Sequence, residues 1–176
     1  MKLLSKTTLA LAALLVSACG PNHDREQKRI NEMEDTLRQA EFVADPATSR
    51  RMMNTYLEFV DHFPQDSMAA IYLYRASDLA FNIGCFDTTI SCLYRIVDDY
   101  PEFEEASTCY YLIGNAYEEY GKLDSAVLAY QDYLKFYPDQ PFAESAQSAI
   151  DNIGKSPEEM LQSILSKHNT NSDINM

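Results

Sequence analysis

Side chains that could carry acid–base or metal chemistry are few in this sequence, and they do not form a recognisable catalytic set. The three histidines, His23, His62 and His168, belong to no metal-ligand or catalytic-triad motif. The chain also lacks a glycine-rich phosphate loop and a Cys-x-x-Cys pair. These observations predict a protein that is not an enzyme, holds no metal and needs no cofactor.

Paired acidic residues raise a second possibility, a site for a cation or for two cooperating carboxylates. Adjacent residues of a helix point about 100° apart, so pairs such as Asp98-Asp99 and Glu118-Glu119 do not form a carboxylate site by themselves. The acids around Pro101 crowd one predicted loop: Asp98, Asp99, Glu102, Glu104 and Glu105. A solvated acidic loop is the favoured interpretation, and a weak cation site is the alternative.

The cysteines divide into Cys19, near the N-terminus, and three residues further along, Cys85, Cys92 and Cys109. Cys92 and Cys109 fall on adjacent predicted helices, so a disulfide between them is one interpretation. Buried free thiols are the favoured interpretation, because helical cores often contain cysteine as a small apolar residue.

The start of the chain has the pattern of an export signal. Lys2 and Lys6 precede an apolar run over residues 7–18. The run is twelve residues long, shorter than the roughly 20 needed to span a bilayer. We therefore interpret residues 1–18 as a cleaved signal peptide.

The end of this run, Val16-Ser17-Ala18-Cys19, resembles the lipobox of bacterial lipoproteins. The resemblance implies that Cys19 becomes the first residue of the mature protein and carries a diacylglyceryl thioether and an N-acyl chain such as palmitate. Several acyl chains anchor a protein stably, whereas one chain binds only marginally. Gly20 stands where aspartate would imply retention, so the protein is expected at the outer membrane of the bacterial envelope, facing the periplasm. An ordinary signal peptide cleaved elsewhere is the alternative.

The mature chain is strongly acidic. Loss of residues 1–18 lowers the number of Lys and Arg from 14 to 12 against 27 Asp and Glu, which leaves a net charge of about −15. A chain of this charge repels nucleic acid and anionic lipid headgroups. We therefore expect no nucleic-acid partner, and we expect membrane contact through the lipid on Cys19.

The rest of the chain is periodic, and several residue types recur every 37 residues. The recurring sets are Pro64, Pro101 and Pro138; Phe63, Tyr100 and Tyr137; Ala69, Ala106 and Ala143; Gly84 and Gly121; Asp87 and Asp124; and Tyr74 and Tyr111. Strand patterns are nearly absent. A period of this length is typical of stacked helical repeats.

Residues 107–140 show the repeating unit most clearly, as two amphipathic helices with a break between them. The apolar faces consist of Tyr110, Ile113, Gly114 and Tyr117 on the first helix, and Ala126, Tyr130, Tyr133 and Leu134 on the second. Gly121 is expected to end the first helix, Asp124 to cap the second and Pro138 to end it. Gly114 and Ala126 are expected where the two helices cross.

This unit resembles a tetratricopeptide repeat (TPR), with Ser107 at its first position. The family signature falls on Tyr110, Ile113, Gly114, Tyr117, Ala126, Tyr130 and Pro138. In the preceding repeat, Ser77 and Thr89 stand in the columns of Gly114 and Ala126. The resemblance implies an all-α fold, an α-solenoid of antiparallel helix pairs that forms a TPR-like superhelix of about 3.5 repeats. The residues that lengthen each period are expected in the loops after the prolines.

The predicted segments are 1–18 (signal peptide), 19–23 (lipidated cysteine and tether), 24–167 (helical domain) and 168–176 (disordered tail). The predicted helices cover 24–44, 46–63, 67–83, 87–99, 103–120, 124–136 and 142–153. Asp45 is expected to cap the second of them, with Pro46 at its first position. A last helix, which begins at Ser156-Pro157 and presents Met160, Ile164 and Leu165, is expected to close the end of the stack.

The TPR resemblance also implies a concave binding groove lined by the first helix of each repeat. The groove positions are Ile71, Tyr74, Asp78 and Phe81, then Thr108, Tyr111, Asn115 and Glu118, and finally Ser148 and Asn152. Asn115 could both donate a hydrogen bond to a peptide backbone and accept one from it. These positions contain no lysine that could hold a terminal carboxylate, so a neutral or basic segment is the favoured ligand. The alternative is that Tyr74 and Tyr111 only cover helix faces.

The order of lipobox, short tether and helical repeats is similar to that of the lipoprotein of the outer-membrane β-barrel assembly machinery, a family with a longer chain. The resemblance implies a non-enzymatic scaffold that binds another cell-envelope protein or a peptide segment, with a role in outer-membrane protein assembly. A lipoprotein that binds a peptide or glycan ligand is the alternative function.

Overall fold

The computed structural model describes residues 20–39, 45–162 and 165, and these segments contain helices and connecting turns without a strand. The helices are α1 (His23–Gln39), α2 (Pro46–His62), α3 (Ala69–Asn82), α4 (Phe86–Asp99), α5 (Ala106–Glu119), α6 (Leu123–Phe136) and α7 (Ala143–Asn152), and residues 157–162 are also helical. The predicted signal peptide, Cys19, residues 40–44, Ile164 and the tail from His168 lie outside the described residues.

Each helix packs mainly against the helix that follows it in the chain, from α1 through α7. The connections alternate in length: three residues separate α3 from α4 and α5 from α6, whereas six residues separate α2 from α3, α4 from α5 and α6 from α7. The longer connections contain Pro64, Pro101 and Pro138. The predicted all-α, solenoid-like architecture is confirmed.

The two recurring glycines lie at the centre of the short connections. Gly84 and Gly121 have φ angles of 71° and 76°, a left-handed conformation that a side chain would disfavour. The backbone amide of the residue after each glycine donates a hydrogen bond to a carbonyl oxygen in the last turn of the preceding helix. Cys85 N donates to Ala80 O at 2.8 Å, and Lys122 N donates to Tyr117 O at 2.9 Å. This is the Schellman ending of a helix, and it explains why glycine recurs at this position.

The structure corrects one of the two predicted helix caps. Asp45 caps α2 as expected, because its Oδ1 accepts hydrogen bonds from the backbone amides of Ala47 at 2.9 Å and Thr48 at 3.1 Å. Asp124 does not cap α6. The three-residue turn leads directly into the helix, so α6 begins at Leu123 and Asp124 lies within its first turn, where its charge favours the helix dipole.

The core follows the helix succession as two adjoining clusters. The larger cluster contains fully buried side chains from α1 to α5, among them Ile30, Met52, Phe59, Tyr72, Leu73, Leu93, Ile96 and Ile113. The smaller cluster joins α6 to α7 through Ala126, Tyr130, Tyr133 and Ala146. Both clusters are therefore sandwiched between consecutive helices, as in a solenoid.

Of the three side chains expected to close the C-terminal end of the stack, Leu165 departs from the prediction, and Ile164 lies outside the described residues. Ser156 and Glu159 form a capping box, with each side chain bonded to the other residue's backbone amide at 3.2 and 2.8 Å. Met160 is half-buried, but Leu161 and Leu165 are 58% and 55% exposed. These leucines therefore lie on the outer face of this segment instead of packing on α7.

In addition to the buried Ile30, the N-terminal helix has polar contacts that connect it to α2 and to the loop before α3. His23 begins α1 and contributes its Nε2 to a hydrogen bond with Asp66 Oδ2 at 2.8 Å. Glu26, which is buried, bonds His62 Nδ1 at 2.9 Å. His23 was expected in the tether, which is therefore one residue shorter. Asn22 ends it, because its side chain accepts the amide of Arg25 at 2.9 Å and caps α1.

The attachment of α1 is expected to depend on pH through His23 and Asp66. Hydrogen bonds with Asp66 and then Asp24 raise the pKa of His23 above its ordinary value of 6.5. The stabilising contribution of His23 is therefore complete below pH 6.5, and it is lost as the pH rises through the raised pKa. The pKa of Asp66 is lowered from 3.8, first by the Met68 amide and also by His23, so its contribution is lost as the pH falls below 3.8.

We therefore expect α1 to be held most firmly between these two values. Hydrogen exchange of the α1 amides, corrected for intrinsic exchange rates, should become faster well above pH 6.5, while the α5 amides should not change. In a His23→Gln variant this pH dependence of α1 should disappear. Equal α1 protection on both sides of the transition in the unmodified protein would contradict the prediction.

Candidate binding groove

A cavity of about 240 Å³ lies between α3, α4 and α5. Its walls are formed by Tyr74, Ser77, Asp78, Phe81, Asn82, Thr89, Leu93, Leu112 and Asn115. The α3 residues recur at helical spacing, so one face of α3 forms most of the wall. The cavity combines an apolar lining with a few polar groups, which is the usual composition of a binding pocket.

Four of the residues expected in the groove meet in this cavity: Tyr74, Asp78 and Phe81 from α3, and Asn115 from α5. A second cavity of about 250 Å³ adjoins it between α1, α2 and α3. Tyr74 and Asp78 line both cavities, so the two form neighbouring parts of one surface. We call this surface the α1–α5 groove.

The other expected groove residues line neither cavity. Ile71 and Thr108 are half-buried on their helices. Tyr111 stacks on Phe142 with ring centroids 4.6 Å apart and an interplanar angle of 9°. Glu118 accepts a hydrogen bond from the Tyr130 hydroxyl at 2.9 Å. Asn152 bonds back to the Ser148 carbonyl at 2.8 Å. Contacts within the fold therefore occupy the side chains of Tyr111, Glu118 and Asn152.

Five cavity residues were not among the expected groove positions: Ser77, Asn82, Thr89, Leu93 and Leu112. Ser77 and Thr89 meet at the crossing of α3 and α4, where the Thr89 hydroxyl lies 3.3 Å from the carbonyl oxygen of Ser77. In the next repeat the same two columns hold Gly114 and Ala126. This replacement of small apolar residues by hydroxyl residues was the available signal that the α3–α4 crossing differs.

Two polar side chains of the cavity lining, those of Asp78 and Asn115, have open hydrogen-bonding capacity. Within the described segments, the Asp78 carboxylate has no ion-pair partner, and its backbone carbonyl alone is engaged, by Asn82 at 2.9 Å. The Asn115 amide likewise has no hydrogen-bond partner there. The nearby cation Arg75 is already paired with Glu34, which also accepts from the Tyr56 hydroxyl at 2.7 Å. The cavity therefore presents an anion and an amide to a ligand.

Tyr74 remains a neutral hydrogen-bond donor beside these groups. Partial burial is the main cause that raises the pKa of its hydroxyl, and the negative charges of Glu105 and Asp78 act in the same direction. Its ring lies 6.0 Å from that of Phe103, which belongs to the loop after α4. Tyr74 thus provides a positioned aromatic surface with a polar tip.

The thiols predicted to be free are free in the structure. Cys92 and Cys109 are buried without a disulfide, and burial is the chief cause that raises their pKa values to about 11 and about 12. Cys85 is half-buried, and the Arg50 guanidinium lies 3.3 Å from its sulfur. Because thiolates are the reactive form, Cys92 and Cys109 should be inert in the folded protein.

We therefore expect one fast and two protected thiols, apart from Cys19. A brief alkylation of the folded protein should modify Cys85, and alkylation after denaturation should modify Cys92 and Cys109 as well. Peptide mass mapping with two isotopically distinct reagents distinguishes the two groups. Equal labelling of all three thiols in the folded protein would contradict the burial of Cys92 and Cys109, and a pair resistant even after denaturation would indicate a disulfide.

The acidic loop around Pro101 does not gather its carboxylates into a metal site. Across residues 20–39, 45–162 and 165, no three or more His, Cys, Asp or Glu side chains are placed to hold a metal ion. The same segments include no helix with the length and apolar character that crossing a membrane requires.

The fold and the groove define the class of this chain, an all-helical solenoid with a partly polar cavity between successive helices. No family model matches the sequence, and no curated protein matches it either.

Proposed function

We propose that this protein is a non-enzymatic, lipid-anchored TPR scaffold of the bacterial envelope that binds a segment of another envelope protein in its α1–α5 groove. The observation that carries the proposal is the cavity in which Tyr74, Asp78, Phe81 and Asn115 meet. The 37-residue period, its positive-φ glycines and the consecutive helix packing support the TPR assignment. The lipobox-like sequence before Gly20 supports the anchor on Cys19.

The anchor would keep the groove close to a membrane surface, because Asn22 already begins the helical stack three residues after Cys19. The partners accessible to such a groove are other envelope proteins. A role in outer-membrane protein assembly is the specific form of the proposal, and it rests on the resemblance in domain order. Replacement of Cys19 by serine should shift the protein from the membrane fraction to the soluble fraction; unchanged sedimentation with membranes would contradict the anchor.

The groove is tested by affinity capture from detergent-solubilised native envelope. The unmodified protein is compared with a groove variant, Tyr74→Ala with Phe81→Ala and Asn115→Ala, and with a control variant, Leu128→Ala with Asp132→Ala, whose residues are exposed on α6. Circular dichroism confirms that all three are folded. We expect a partner that the unmodified and control proteins retain and the groove variant loses. A partner retained equally by all three would place binding elsewhere and refute the proposed groove.

The alternative function, a lipoprotein that binds a free peptide or a glycan, predicts a different response. Ligand binding to the folded state raises the melting temperature by mass action, without any partner protein. A panel of envelope glycans should leave the melting temperature of a segment-binding scaffold unchanged. A glycan that raises it in the unmodified protein but not in the groove variant would favour the alternative.

A further inference from the structure

The size of the α3–α5 cavity limits what it can enclose. Pockets that hold whole small molecules usually measure about 300–1,000 Å³. The cavity between α3, α4 and α5 measures about 240 Å³ and is partly open to solvent. It is therefore better matched to a single long side chain, inserted from a segment that lies across the opening, than to a complete ligand.

The walls favour a side chain with an apolar stem. Phe81, Leu93 and Leu112 provide apolar surface, and Leu93 is fully buried. The Phe81 ring is held at one edge by Phe86, with ring centroids 5.7 Å apart. Methylene groups of lysine or arginine pack on surfaces of this kind while the charged head remains near polar groups.

The polar groups of the cavity favour a positive head on that side chain. The hydroxyls of Ser77 and Thr89 are engaged by backbone carbonyls, those of Tyr74 and of Ser77 itself. The carboxylate of Asp78 carries a negative charge, and none of the described cations neutralises it. Asn115 offers an amide oxygen that can accept from the same head group. A negatively charged side chain would meet Asp78 and be repelled.

We propose that the α3–α5 cavity binds one lysine or arginine side chain of the partner segment, with its head on Asp78 and Asn115 and its stem against Phe81 and Leu112. This inference rests on the proposed function, because it names the chemistry of the segment that the groove binds. Aromatic rings at Tyr74 and Phe81 add a further attraction for a cation. The cavity thereby becomes the determinant of which segments are bound.

The test uses full-length protein in detergent and a random peptide phage library as the probe. Enriched peptides are synthesised with each cationic residue in turn replaced by norleucine, which retains the stem and removes the charge. We expect one cationic position whose replacement weakens binding about tenfold or more, because the peptide then loses its charged hydrogen bonds to Asp78 and Asn115. Asp78→Asn should weaken the parent peptide by a similar factor, whereas the exposed control Asp132→Asn should not.

A double-mutant cycle separates this contact from a general loss of negative charge. With the norleucine peptide, Asp78→Asn should cause no further loss of affinity, because its partner is already absent. Additive losses would overturn the proposed contact. Some enriched peptides could bind without a key cationic residue and yet bind the Phe81→Ala protein more weakly than the unmodified protein. That result would overturn the inference while leaving the groove function intact. If no enriched peptide depends on Phe81, Asp78 or Asn115, both the inference and the proposed groove fail.

Discussion

Truncation of Phe59 to alanine is expected to lower the free energy of unfolding by about 3–5 kcal/mol, a large share of the roughly 5–15 kcal/mol typical of a domain. The Phe59 side chain on α2 is fully buried. Its ring contacts Phe63, Tyr72 and His23, with centroid distances of 5.1, 5.1 and 5.4 Å. The substitution therefore leaves a cavity where α1, α2 and α3 meet, and urea titration measures the loss.

The matched control is Phe136→Ala, which removes the same ring from a position that is 54% exposed. Its cost should be below about 1 kcal/mol, because most of that ring is already in water. In a solenoid the damage from Phe59→Ala should also remain local, so amides of α1–α3 should exchange faster while those of α6 and α7 keep their protection. Equal costs for the two substitutions would show that the Phe59 ring is not a centre of the packing between α1, α2 and α3.

Replacement of Gly114 by valine is expected to destabilise the α5–α6 pair by about 2–3 kcal/mol through overpacking. A Cβ atom added at Gly114 would lie 2.5 Å from two ring carbons of Tyr130, a distance that no ordinary contact reaches. The Tyr130 ring is buried, and its hydroxyl is bonded to Glu118, so the ring cannot simply swing away. The gain in helix propensity over glycine, below about 1 kcal/mol, does not offset this clash.

Two further variants test the cause of that loss. Gly20→Val adds the same side chain where nothing lies within 4 Å, and its effect should stay within about 0.5 kcal/mol. In a Tyr130→Leu background, Gly114→Val should cost less than it does alone, because the opposing ring is absent. If the two substitutions are simply additive in thermal or urea unfolding, the clash with Tyr130 is not the reason.

Much of the fold could be predicted because its signals are local. Asp45 before Pro46 marked the start of α2, and Gly84 and Gly121 marked two helix ends, since each depends only on residues within one turn. The 37-residue period then indicated consecutive packing, because a single repeat cannot bury its apolar face alone and therefore packs against the next repeat. The cap of α6 was predicted at Asp124 but lies two residues earlier, at Lys122, which is within the usual uncertainty at a helix end.

The candidate groove was less predictable because it depends on contacts between distant parts of the chain. The loop before α7 places Phe142 on Tyr111, a stack that the spacing of helical residues does not reveal. Sequence spacing likewise detects partners on the same helix, whereas His23 and Asp66 are separated by 43 residues and Glu26 and His62 by 36. Those pairs appear only when α1 and α2 are brought together.

The consecutive packing of the helices has a consequence for how this chain reaches its folded state. Among the described helices, every extensive helix–helix contact joins neighbours in the chain, so none of these helices requires a distant one for its main contacts. Low contact order is associated with rapid folding, because little loop entropy is lost before contacts form. When the chain emerges N-terminus first from a ribosome or a translocation channel, its helices can therefore fold in the order of the sequence. Each new helix then packs on the helix that has already formed before it.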